Sequence, residues 1–145
     1  LPGFVHARVV LGASPTARLG LRGVWCWPTG LGFDVVSAVR SSELLVPLFK
    51  HGRDKHGPTL EVAVGDVVVS TARWREPADM SLFPGGGRGG LDYFEQLVNL
   101  WPLPPPEPLR ITVDWVDAEI ERTTTTLDGR LFTEAAASAT PLWEP

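Results

Sequence analysis

The sequence predicts an all-β domain, an antiparallel β-sandwich or partly open barrel of about seven or eight strands with one short C-terminal helix. Three observations predict it. Short segments alternate apolar and polar residues with period two. Fourteen prolines and fifteen glycines punctuate those segments. The helices that a parallel α/β sheet would interpose between strands are missing. With 145 residues, the chain fits one domain spanning 1–145. A chain of that length buries about 70% of its extended surface and needs no staple to fold.

The elements follow in order. Val5, Ala7, Val9 and Leu11 alternate with His6, Arg8, Val10 and Gly12, so a first strand turns its odd positions inward. Ser14-Pro15 makes a turn. Leu19, Leu21, Trp25 and Trp27 continue an odd-numbered face, with Arg18 and Arg22 opposite. Pro28-Thr29-Gly30 breaks that run. Leu31, Phe33, Val35 and Val39 form the next odd-numbered face, opposed by Asp34, and the two runs read as a hairpin. Residues 41–58 form a long charged connection that includes His51-Gly52-Arg53-Asp54-Lys55-His56. Leu60, Val62 and Val64, then Gly65-Asp66, then Val67-Val68-Val69 read as strand, tight turn, strand.

Residues 73–90 read as a second long connection. Its stretch Gly85–Gly90, five glycines and Arg88, carries a large ordering entropy and is expected to be a mobile loop. Leu91 to Trp101 fits either a strand or two helical turns. Pro102-Leu103-Pro104-Pro105-Pro106 then forces an extended passage. Leu109, Ile111, Val113 and Trp115 alternate with Arg110, Thr112 and Asp114, the clearest half-buried strand in the chain. Ile120 to Leu127 is another, rich in β-branched threonine. Leu131 to Ala139 is expected to be helical, capped by Asp128 or Thr133, with Pro141-Leu142-Trp143 folded back onto the body.

Composition removes several functions. A net charge of −4 and scattered arginines argue against nucleic acid as a partner. No apolar run reaches the ~20 residues of a membrane span, so no membrane partner is expected. The single cysteine, Cys26, excludes an intrachain disulfide and suits a cytoplasmic location. Cys26 reads as an inert small hydrophobe on the face opposite Trp25 and Trp27.

Candidate chemistry is weak throughout. The two histidines and aspartate of residues 51–56 are flanked by Lys50, Arg53 and Lys55, which oppose a bound cation. The glycine tract lacks the Gly-Lys-Ser/Thr ending of a phosphate loop. Asp114, Asp117, Glu119 and Glu121 read as a solvated strand edge. No catalytic residue, metal site or cofactor is assigned. Among the six tryptophans, Trp25, Trp27 and Trp115 fall on predicted core faces. Trp74, Trp101 and Trp143 lie in or beside irregular segments. With Arg88, they are the candidate binding residues, because flat rings bury much area at little entropy cost.

The runs Leu100-Trp101-Pro102-Leu103-Pro104-Pro105-Pro106, Leu109–Trp115 and Trp27-Pro28-Thr29-Gly30-Leu31-Gly32-Phe33 resemble a group of uncharacterised β-rich proteins from high-GC actinobacteria. The resemblance covers most of the chain after Val9. It implies a small cytoplasmic bacterial domain and brings no activity and no catalytic residue with it. The expected function is therefore a non-enzymatic β-sandwich interaction module. It would bind a protein partner or its own copy as a homo-oligomer, through one sheet face or an aromatic loop end. The rival is a small-molecule or carbohydrate-binding domain, with Asp114 and its acidic neighbours as hydrolytic groups. A weaker third reading is a subunit of a larger assembly.

Overall fold

The structure, a computed structural model, describes residues 1–49, 57–76 and 78–142. Among the described residues, nine strands form two antiparallel sheets. The first three are a meander: β1 (Gly3–Ala13), β2 (Ala17–Trp27) and β3 (Gly30–Val39). The chain then crosses to the second sheet for β4 (Thr59–Val64) and β5 (Val67–Ser70). It returns with β6 (Ser81–Gly89) and β7 (Tyr93–Trp101), and ends in the second sheet with β8 (Leu109–Trp115) and β9 (Ile120–Leu127). The strand orders are β1-β2-β3-β7-β6 and β5-β4-β8-β9. A helix, α1 (Gly129–Ala137), packs against β1 and β2. This is the β-sandwich that the alternation implies, with one or two strands more than expected.

The core lies between the sheets. Leu19, Leu21, Phe33 and Val98 come from one, and Leu60, Val62, Ile111, Val113 and Trp115 from the other. Inward polar groups are satisfied. Gln96, on β7, accepts a hydrogen bond from Leu48 N–H at 3.2 Å, and Thr71 Oγ1 accepts one from Leu60 N–H at 3.0 Å. Asp128 caps α1, accepting from Arg130 N–H at 3.1 Å. That was one of the two caps the sequence offered.

Two expectations fail. The first is the face assignment of Trp25 and Trp27. Leu21 pairs with Val35, yet Gly23 pairs with Asp34, so β2 holds one extra residue at a β-bulge. The bulge shifts the alternation by one place. Val24 and Cys26 turn into the core, while Trp25 comes to the surface at 38% exposure and Trp27 is half-buried. Period two holds in β3 and β8, and Trp115 is fully buried.

The second failure is the glycine tract. Residues 81–89 are a strand paired with β7, and only 71–80 remain as the connection. Tyr93–Trp101 is a strand, one of the two readings its spacing allowed. Cross-strand pairing overrides the entropy that five glycines carry. The tract does stay exposed along most of its length. The segment His51–His56 and Trp143 lie outside the described residues, and Leu142 is exposed.

Candidate functional site on the outer face of the five-stranded sheet

The outer face of the first sheet carries a ladder of four charged side chains from four strands. Arg22, on β2, donates from Nε and Nη2 to the two carboxylate oxygens of Asp34 on β3, at 3.1 and 3.0 Å. Its Nη1 reaches Glu95 on β7 at 2.8 Å. Arg88, on β6, donates from Nε to the other oxygen of Glu95 at 2.7 Å. The bulge at Arg22 places that guanidinium between two neighbouring strands. Arg88, and then Arg22, hold the Glu95 carboxyl below its ordinary range, and Asp34 raises the Arg22 guanidinium further. Two cations and two anions cancel, so the ladder is a hydrogen-bonded polar strip without net charge.

An aromatic cluster lies beside it. Phe4 packs on Trp25 with ring centroids 4.4 Å apart, and edge-on to His6 at 4.7 Å. Phe4 also covers Gly23, where a Cβ would strike its ring. A side chain there would have to displace the Phe4 ring, because the bulge brings the β2 backbone beneath it.

Two open hollows flank the Arg22–Asp34 pair. One, of about 280 Å³, runs between Trp25 and Leu97 toward Gly86 and Gly87. The other, of about 550 Å³, is lined by Phe4, His6, Arg8 and Val10. Both share Arg22 and Asp34 as a common wall. Apolar floors with a few fixed polar groups suit binding. Among the described residues, no cluster of three metal-ligating side chains exists. Among the same residues, no helix is long and apolar enough to cross a membrane.

The structure separates the candidate residues that the sequence singled out. Trp74 is half-buried, set edge-on to Phe49 at 5.6 Å with the Arg75 guanidinium over its ring. It packs against the hydrophobic core. Trp101 closes β7, 54% exposed and opposite Ser81. Arg88 lies at the other end of the same strand pair, opposite Glu95. Of the candidates among the described residues, only Arg88 belongs to the charged ladder. Asp114 faces Arg122 at 3.9 Å, and that arginine also bonds Glu61 at 2.7 Å, so these charges form a surface pair network.

Phe4, Arg22, Trp25, Asp34 and Glu95 are the residues that the sequence reading missed. Arg22 and Asp34 were legible as outward-facing. Trp25 was not, since its place depends on the bulge. Gly20 and Gly23 inside the strand were the available signal.

No family model and no curated protein matches this chain. Among solved structures, it is similar to the GAE domain of GGA2p from Saccharomyces cerevisiae. The two share 12% identity over 84% of this chain and 96% of that one, with a TM-score of 0.40. A likeness at that level assigns no function, and the functional reading rests on the sheet face itself.

Proposed function

We propose that this domain is a non-enzymatic module that binds another polypeptide on the outer face of its five-stranded sheet. The supporting observation is the exposed Trp25, stacked with half-buried Phe4 and joined to the neutral Arg22–Asp34–Glu95–Arg88 ladder. Trp and Arg are the residues most enriched at binding hot spots, and here both stand preorganised on a sheet. The ladder has no net charge, so it offers no track for a polyanion. The hollows are open and shallow, which fits side chains of a partner better than an enclosed small molecule.

The carbohydrate reading shares one feature with this one, the exposed Trp25 ring. A side-by-side experiment separates them. The full chain is immobilised and offered a phage-displayed peptide library, and the labelled chain is applied to a glycan array. Enriched peptides that bind Trp25→Ala at least tenfold more weakly are expected, a loss of about 1.4 kcal/mol or more. Glycan binding without peptide enrichment would overturn the proposal. So would peptides that bind Trp25→Ala and Arg22→Ala as tightly as the parent.

A further inference from the structure

We infer that the open edge of β6 accepts an extended segment of a partner polypeptide as an added strand, with an acidic residue of that segment facing Arg88. The inference rests on the reading above only in taking a polypeptide as the ligand.

Among the described residues, the sandwich has four edge strands, β1 and β6 in one sheet, β5 and β9 in the other. Three are guarded. The start of β1 lies against α1, where a Cβ at Gly3 would strike the Ala135 carbonyl, and Leu1 exchanges hydrogen bonds with Thr140. β5 is four residues long. β9 carries Glu121, Arg122 and a run of threonines. Short, charged or covered edges discourage pairing. β6 differs, since beyond Pro84 its only side chain is that of Arg88.

The ladder shows which backbone groups are open. Gly90 N–H donates to Tyr93 O at 3.0 Å, closing the hairpin. Two positions on, Arg88 faces Glu95 in the same register. Antiparallel pairs alternate between bonded and non-bonded positions. Gly87, opposite Gln96, and Gly89, opposite Phe94, therefore turn N–H and C=O away from β7. No described residue pairs with that side. Gly86 adds access. It has no positive φ, and a Cβ there would meet nothing within 4 Å, so neither backbone conformation nor packing demands glycine. Gly86 and Gly87 also line the hollow that ends at Trp25, which is open to a side chain of the added strand.

The occupant follows from spacing and charge. Donors and acceptors repeating every second residue match an extended polypeptide. A second copy fits poorly. Pairing Gly87 with Gly89 of the second copy sets the two Arg88 side chains directly opposite each other, and like charges so placed repel. Shifting the register brings in Pro84, which has no N–H, and the bulge between Pro84 and Gly87. A different chain with Asp or Glu at that position removes the repulsion. Arg88 is 80% exposed and uses only Nε on Glu95, so its terminal nitrogens remain to receive that carboxylate. Pro84 and the bulge also limit the new ladder to a few residues.

The probe is the tightest octapeptide selected from a phage-displayed random library on the full chain, resynthesised. The readout is amide hydrogen exchange by NMR. At saturation, the Gly87 and Gly89 amides are expected to exchange at least tenfold more slowly, while Arg88, already in the ladder, changes little. Replacing the peptide's acidic residue by Ala is expected to weaken binding to the parent and to leave Arg88→Ala unaffected. Unchanged exchange at both glycines with the peptide bound would overturn the inference, and so would failure to select any peptide. Trp25→Ala separates the two proposals. Weakened binding with freely exchanging glycines leaves the sheet-face reading standing and removes the edge. Slowed glycines with unchanged affinity do the reverse.

Discussion

β8 and β2 begin alike and finish differently. In β8, Leu109, Ile111, Val113 and Trp115 point inward without interruption, and Arg110, Thr112 and Asp114 point out. In β2, Ala17, Leu19 and Leu21 do the same, and then the bulge at Arg22–Gly23 intervenes. Beyond it, Cys26 takes the core position and Trp25 the surface. A large aromatic at the end of an apolar alternation is therefore core in one strand and surface in the other. One inserted residue moved an aromatic ring out of the interior and aimed an arginine across two neighbouring strands. The candidate site lies where the strand departs from regularity, as bulges beside functional surfaces commonly do.

Substitutions can break this comparison. The largest effect is expected at Trp115→Ala, which should destabilise the fold by about 3–5 kcal/mol, as for a large aromatic removed from a core. Denaturant unfolding checks it, and a loss under about 1 kcal/mol would mean that β8 packs no better than the end of β2. Cys26→Ser should cost about 1–3 kcal/mol, because a hydroxyl replaces a fully buried thiol. Burial pushes the Cys26 thiol up to about 11. The unfolded chain therefore ionises first, near the ordinary thiol value of 9.0. The associated stability is complete below that pH and is lost as pH rises toward the folded value. Ellman's reagent should label Cys26 only after unfolding.

Trp25→Ala should change stability by less than about 1 kcal/mol, the scale of an ordinary surface substitution, while weakening ligand binding. An unfolding loss matching that of Trp115→Ala would erase the distinction between the two strands. The smallest effect is expected at Glu95→Gln. The lowered carboxyl of Glu95 contributes stability above the unfolded carboxylate range, and loses it as pH falls through the folded value. The variant should flatten the acid limb of a stability–pH profile. An unchanged limb would show that Arg88 and Arg22 gain nothing from the carboxylate.

Much of the fold was legible because hydrophobic alternation is a local signal. Leu60–Val64, Leu109–Trp115 and the Asp128 cap needed no knowledge of distant partners. Gly85–Gly90 could not be read so, because its order comes from β7, which supplies the hydrogen bonds that glycine side chains cannot supplement. The site was less legible still. Arg22, Asp34, Glu95 and Arg88 are scattered through the sequence and meet only through sheet order. Trp25 reads as core until the bulge is known.

The pairing of β3 with β7 also bears on how the chain reaches this structure. Its contacts run from Ala38–Tyr93 to Leu31–Leu100, so β3 stays an unpaired edge until a distant segment returns. Such non-local closure slows folding, because loop entropy is lost before the contacts form. The β1–β3 meander should therefore gain protection first, and β6 and β7 should dock late as a hairpin. Pulsed hydrogen-exchange labelling during refolding would show β2 amides protected before those of β6. Simultaneous protection would mean that the five-stranded sheet closes in one step.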